Sequence, residues 1–155
     1  MNIAFQGLND KQAVAVAELS DQLGFQISDG ASTVVSVTAG NYLSLSGTPD
    51  HVAVTYHTPH EFFRALSYLP GFFKDGKEIR ETGAYKMLCY MADNSRNAVY
   101  NLPTAKRVIR YLALMGYNAM MLYTEDTYEL PEYPYFGHMR GRFSEEELKD
   151  RKSVV

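Results

Sequence analysis

The sequence predicts an α/β protein in two parts: a small α+β region, built as a sheet with helices on one face, and after it a βαβ unit. Three observations predict this. Tyr85–Met91 (YKMLCYM) and Ala119–Tyr123 (AMMLY) are near-continuous apolar runs, as expected of parallel strands covered on both faces. Between them Ala105, Val108, Ile109, Leu112 and Met115 recur at the spacing of one helix face. Upstream, Asn41–Ser46 and His51–Tyr56 alternate apolar and polar residues across the turn-rich link Gly47–Asp50, which reads as half-buried strands.

The elements follow in order. Asn2–Gln6 is a short strand candidate. Asn9 offers an N-cap with Gln12 three residues on, the pattern of a capping box before a helix over Ala13–Leu23. Gly24 ends that helix. Phe25–Ile27 is a short strand, and Ser32–Val37 a stronger one because it is rich in β-branched residues. Thr58-Pro59-His60-Glu61 is a second capping box, with proline at the first helical position. The helix it opens buries Phe62, Phe63, Leu66 and Leu69, with Phe72 or Phe73. The charged, glycine-flanked stretch Lys74–Gly83 reads as a linker. The expected division is residues 1–75 as the α+β domain, 76–83 as linker and 84–155 as the βαβ portion. The βαβ helix starts near Asn101–Pro103 and stops at Gly116. Thr127–Arg142 is a long aromatic loop, and Ser144 with Glu147 opens a last helix.

Bulk composition narrows the function classes. The chain has 155 residues, 46% of them hydrophobic, enough for a packed core and unlike a disordered segment. A net charge of −3 and a pI near 5.8 argue against a nucleic-acid binder. Cys89 is the single cysteine, so no internal disulfide can form. Its place in an apolar run marks it as an inert core residue. The opening MNIAFQGLNDKQ is not an apolar leader, and no apolar run approaches the roughly 20 residues of a membrane span. A cytoplasmic protein without membrane contact is expected. His57 and His60 flank a helix start without a third ligand, so neither a metal site nor a cofactor is expected.

In a parallel layout the functional loops leave the carboxyl ends of the strands. Those positions carry Asp93, Asn94 and Arg96 after the first βαβ strand, and Thr124, Glu125 and Asp126 after the second. Arg96 reads either as a clamp for a ligand or as a structural arginine tying a loop to a helix end. Glu125 and Asp126 are adjacent in an extended stretch and point to opposite sides, so they are not a paired acid and base. The rings of Tyr123, Tyr128, Tyr133, Tyr135 and Phe136 suit a sugar-stacking wall or a loop clamped by its own aromatics.

Four blocks carry a family resemblance: DNSRNAV (Asp93–Val99), LALMGYN (Leu112–Asn118), LYTEDTYEL (Leu122–Leu130) and YPYFGHMRGRFSEEEL (Tyr133–Leu148). In this order they resemble the opening of the catalytic domain of glycoside hydrolase family 20, the β-N-acetylhexosaminidases. Residues 1–75 resemble, mainly through element order and FFRAL (Phe62–Leu66), the small domain that precedes that family's barrel. The resemblance implies that residues 84–155 begin a (β/α)8 TIM barrel, which takes about 250 residues in full and is here incomplete. It implies a substrate-assisted retaining glycosidase, whose Asp-Glu catalytic pair follows a later barrel strand, so no catalytic residue is expected in this chain. Arg96 matches the arginine that binds hydroxyls of the terminal sugar, Asp93 the acidic residue of the same motif. Asp126, and with less support from its position Glu125, fall at the barrel mouth as substrate-binding residues.

After Glu147-Leu148 the family continues into a full helix, whereas this chain reads KDRKSVV and ends. The expectation is an amino-terminal, truncated fragment, inactive alone, of an enzyme that acts on N-acetylhexosamine-containing glycans. Its missing barrel half would come from the same gene or a partner, or its open edges would drive oligomers. The alternative expectation is a non-catalytic interaction, scaffold or carbohydrate-binding module.

Overall fold

A computed structural model gives the structure of the chain and describes residues 1–96 and 98–150. Asn97, inside the DNSRNAV block, and the tail Arg151–Val155 lie outside the described residues. The chain divides into two compact units. The first comprises Met1–Lys86 with Leu114–Gly116, the second Met87–Ala113 with the residues from Tyr117 onward.

The first unit runs β1 (Asn2–Gln6), α1 (Asp10–Leu23), β2 (Gln26–Ile27), β3 (Thr33–Ala39), β4 (Leu43–Thr48), β5 (His51–Tyr56), α2 (Pro59–Asp75) and β6 (Ile79–Glu81). Its six strands lie in the order β2-β1-β3-β5-β4-β6. β1, β2, β3 and β5 are parallel, and β4 is antiparallel to both β5 and β6. This mixed α+β architecture is the predicted one. Alternation produces it: Val35, Val37, Leu43, Leu45, Val52 and Val54 turn to one face and form a single buried cluster with Val16 and Leu19 of α1 and Phe62, Leu66, Leu69 and Phe72 of α2. Ser36, Ser44, Ser46, Ala53 and Thr55 take the opposite face.

Both capping boxes form. The Asn9 side chain accepts from the Gln12 amide at 2.9 Å while Gln12 accepts from the Asn9 amide at 3.1 Å. Glu61 accepts from the amides of His57 at 2.7 Å and Thr58 at 3.4 Å. Gly24 adopts the left-handed conformation at φ 74° and returns its amide to α1 carbonyls, a position where a Cβ would be strained.

The segment read as a linker carries β6. Ile79 packs against the core cluster, and the Arg80 guanidinium lies 3.9 Å from the centre of the Tyr42 ring. Glu81 accepts from Tyr68 and lies 3.4 Å from Arg64 Nε on α2. The density of charges reads as solvent-facing, but Arg80 and Glu81 each have a partner across the sheet edge.

The second unit contains β7 (Cys89–Asp93), α3 (Leu102–Leu114) apart from its last residue, β8 (Ala119–Tyr123) and α4 (Glu145–Asp150). β7 and β8 are parallel, with Cys89 opposite Ala119 and Asp93 opposite Tyr123, so the βαβ unit forms. Asn101 caps α3, its side chain accepting from the Thr104 amide at 2.9 Å. Ser144 and Glu147 cap α4 reciprocally.

Four local expectations are corrected. β7 begins at Cys89 rather than Tyr85, and Tyr85 and Met87 are exposed. The strands are not covered on both faces: Ala92 is buried, while Met91, Met121 and Tyr123, which point the other way, are exposed. Cys89 shares that open face by the two-residue repeat and is exposed, not core. An apolar run records that a strand suits burial, but the covering layer is not written in it. Met115 lies beyond the end of α3 and is exposed.

Candidate functional site

The carboxyl ends of β7 and β8 place the polar residues of the second unit side by side. Asp93 is the last residue of β7, and the chain turns over it. Asp93 Oδ1 accepts from the Ser95 amide at 3.0 Å, the Ser95 hydroxyl at 2.7 Å and the Arg96 amide at 3.3 Å. Its Oδ2 accepts from Arg96 Nε at 2.7 Å and lies 2.6 Å from Arg96 Nη2. This is an Asx-type turn closed by a two-point guanidinium–carboxylate pair. The Ser95 amide and hydroxyl, followed by Arg96, hold the Asp93 carboxyl far below the usual carboxylate range. The same pairing raises Arg96 further above its ordinary value. The arginine is nonetheless 71% exposed, so part of its guanidinium remains open to solvent.

At the neighbouring strand end, the Arg96 guanidinium carbon lies 5.9 Å from the centre of the Tyr123 ring, within cation–π range. The Tyr123 hydroxyl donates to Glu125 Oε1 at 2.8 Å. That hydrogen bond is the first cause of a raised Tyr123 pKa, because it favours the protonated phenol. Glu125 sits at φ 45°, a left-handed conformation uncommon for a residue with a Cβ, and its side chain turns back to Tyr123.

Asp126 faces elsewhere. Its Oδ1 is buried and receives no hydrogen bond among the described residues, and Arg140 Nη2 lies 3.6 Å away, an ion contact too long to be a hydrogen bond. Glu125 and Asp126 therefore serve different partners, and the geometry brings them into no shared acid–base pair.

Buried polar groups lock the two strand ends together. Asn94 has no exposed surface. Its amide donates to the Tyr123 carbonyl at 2.8 Å, and its side-chain oxygen accepts from the Tyr100 amide at 2.8 Å. The hydroxyl of fully buried Thr127 lies 2.9 Å from the Asn94 carbonyl oxygen and 2.8 Å from that of Thr124.

The aromatic loop closes over the Asp126 side. Gly137, at φ 66°, brings its Cα so close to Asp126 that an added Cβ would sit 2.1 Å from the Asp126 carbonyl oxygen, so no other residue fits there without movement. Arg142 donates to the Pro134 and Phe136 carbonyls, and the Tyr128 and Phe136 rings meet edge to face at 5.2 Å. Tyr133, Tyr135 and Met139 point to solvent. The loop is thus clamped from within, and also presents exposed rings.

The sequence-predicted residues divide into two clusters. Asp93, Arg96, Tyr123 and Glu125 are linked by direct contacts, while Asp126 belongs with Arg140. Ser95, Thr127 and Arg140 are not singled out in the sequence reading, whereas Asn94 is placed there with Asp93 and Arg96. The Asp-Asn-Ser spacing of the turn was readable in principle. The bond from Arg140 to the Ser95 carbonyl spans 45 positions and has no local signal. His57 approaches the Gly40 carbonyl and His60 the Thr58 hydroxyl, both at a helix start. Among the described residues no group of three His, Cys, Asp or Glu is placed to hold a metal, and no helix is long and apolar enough to cross a membrane.

The fold recurs in solved structures. An exo-β-N-acetylglucosaminidase of glycoside hydrolase family 20 from Vibrio harveyi, in complex with N-acetylglucosamine, aligns over 99% of this chain with a TM-score of 0.72 at 14% identity. A Streptomyces plicatus β-hexosaminidase in complex with the product GlcNAc aligns over 99% with a TM-score of 0.73 at 17% identity. The family 20 β-N-acetylhexosaminidase of Streptomyces coelicolor gives a TM-score of 0.72 at 15% identity, again over 99%. The chain spans 30% of the Vibrio protein and 39% of each Streptomyces protein. At these identities the likeness is one of fold. No curated protein matches the chain in sequence. The family described as the N-acetyl-β-D-glucosaminidase N-terminal domain matches residues 4–82, the stretch holding the six-stranded sheet and both its helices, and on that match the chain belongs to this family.

Proposed function

We propose that the chain is the amino-terminal part of a family 20-like β-N-acetylhexosaminidase and carries part of its sugar-holding site without its catalytic pair. The parent removes terminal N-acetylhexosamine from glycans by the substrate-assisted retaining route. Arg96, oriented by Asp93, donates to hydroxyls of the terminal sugar. Asp126 and, at the rim, Glu125 are the accepting groups on the neighbouring strand end. The single observation that carries the reading is the Asp93–Arg96 pair at the end of β7: one carboxylate oxygen holds Nε and Nη2 on one edge of the guanidinium, while the Arg96 side chain stays 71% exposed. A guanidinium so held suits recognition of a polyol, because its planar donors reach two oxygens at once.

In this reading residues 1–83, β6 included, form the preceding domain, and 84–155 begin a TIM barrel. The exposed Met91–Met121 face of β7 and β8 is covered by further strands of the parent, by a partner chain or by a second copy. The acid and its orienting carboxylate come from a later strand, so the chain alone is inactive, since stabilising the transition state needs groups aimed at the reacting centre. A cytoplasmic setting agrees with an exposed, unpaired thiol at Cys89.

The test is hydrolysis of a chromogenic β-N-acetylglucosaminide by the purified chain with host enzymes excluded. No release of the aglycone is expected. Release that Arg96→Ala abolishes would overturn the placement of the catalytic pair.

A further inference from the structure

Arg140 is a residue to which the sugar-holding reading gives no role, yet its side chain serves both strand ends at once. Its Nη2 donates to the Ser95 carbonyl oxygen and lies 3.6 Å from Asp126 Oδ1. That carboxylate oxygen is buried and takes no hydrogen bond from any described residue, so the arginine charge is what offsets its loss of water. Ser95 in turn gives both its amide and its hydroxyl to Asp93, which holds Arg96. A continuous path therefore runs from Asp126 through Arg140, Ser95 and Asp93 to Arg96. Its two ends are the groups assigned to the sugar, on separate loops.

The backbone confines Arg140 to this place. The Arg140 amide donates to the Gly137 carbonyl at 3.1 Å, and Gly137 is wedged against the Asp126 backbone. A flat guanidinium can address a carbonyl and a carboxylate in different directions, whereas a lysine ammonium acts as a point charge.

We infer that Arg140 is a positioning residue, which sets the turn bearing Arg96 against the turn bearing Asp126 so that both reach one N-acetylhexosamine, and does not itself touch the sugar. The inference rests on the sugar-holding reading for its ligand, though not for the bridge.

Two measurements on the purified chain test it. The first is titration with N-acetylglucosamine, read from amide NMR shifts, for the wild type, Arg140→Lys and Arg140→Gln, each with its thermal midpoint. Losing one charge-assisted contact predicts binding weakened about tenfold in both variants, with midpoints close to wild type and no rescue by lysine. Unchanged affinity in Arg140→Lys, or affinity that falls only in step with the midpoint, overturns the inference. The second is amide exchange at Ser95 and Arg96 without sugar. Exchange is expected to accelerate there in Arg140→Lys while the β7 and β8 ladder keeps its protection. If the wild type binds no sugar yet these two amides loosen, the sugar reading fails and the bridge stands. If they exchange as in wild type, the bridge itself is refuted.

Discussion

Replacing Thr127 by valine probes the lock between the two strand ends. The residue has no exposed surface, and its hydroxyl lies 2.9 Å from the Asn94 carbonyl oxygen and 2.8 Å from that of Thr124. Valine keeps the branched shape but brings no proton. The hydroxyl has one proton to share between two acceptors, so one hydrogen bond is lost, not two. Asn94 is itself fully buried, so its carbonyl cannot turn to water instead. Stranding a buried acceptor costs about 1–3 kcal/mol. The middle of that range, about 2 kcal/mol, corresponds to roughly a 30-fold rise in the open population of the second unit. Amide hydrogen exchange along β7 and β8 reads that population directly. The amides of Ala92, Asn94 and Met121, which donate across the parallel ladder, should therefore exchange about 30-fold faster in Thr127→Val, and far closer to wild type in Thr127→Ser. Exchange in Thr127→Val within about threefold of wild type, less than 1 kcal/mol, would show that this hydroxyl does not hold the strand ends together.

Three further outcomes are expected. Gly137→Ala puts a Cβ 2.1 Å from the Asp126 carbonyl oxygen, inside the 3.0 Å that real Cβ contacts respect. The φ of 66° adds about 1–2 kcal/mol for the left-handed conformation, so the loop must shift, and circular dichroism melts should show a destabilised protein; an unchanged melt would deny that contact. Asp93 has a depressed pKa in the folded protein, so the stability it lends is present above the unfolded value near 3.9 and is lost only as the pH falls through the lower, folded value. Its carboxyl carbon shift should stay flat from neutral pH down to about 3, and a titration at the ordinary carboxylate position would contradict the turn geometry. Tyr68 is pushed up to about 12 by burial and by its bond to Glu81. That raised value stabilises the first unit below pH ~10, and the contribution fades between there and about 12. Tyr68→Phe should remove the last phenol to ionise in an ultraviolet titration, and an unaltered final step would assign it elsewhere.

The first unit was legible because its signals are local. Alternation set the faces of β4 and β5, and the Asn9–Gln12 and Thr58–Glu61 pairs marked both N-caps, although α1 begins at Asp10, three residues before the expected Ala13. What stayed hidden depends on distant partners. β6 reads as linker in the sequence because the partners of Arg80 and Glu81, Tyr42 and Tyr68, lie outside the segment. The burial of β7 and β8 was overestimated because a run of Met, Leu and Tyr looks the same whether or not a second layer lies over it. At the strand ends, spacing placed Asp93, Arg96, Glu125 and Asp126 near one another, but Glu125 and Asp126 diverge because they lie in a turn with Glu125 at φ 45°, not through the alternation of an extended stretch. The sequence did not show which carboxylate keeps which cation, because Arg140 reaches Asp126 from a loop whose path Gly137 and Arg142 determine.

The central claim is that the end of β7 holds a sugar. Its most direct test is titration of the wild-type chain and Arg96→Ala with N-acetylglucosamine, followed by amide NMR. The account predicts saturable shifts in the wild type confined to residues near Asp93–Arg96 and Tyr123–Asp126, and their loss in Arg96→Ala with the fold intact. Absence of saturable shifts in the wild type, or shifts that survive Arg96→Ala unchanged, would contradict it.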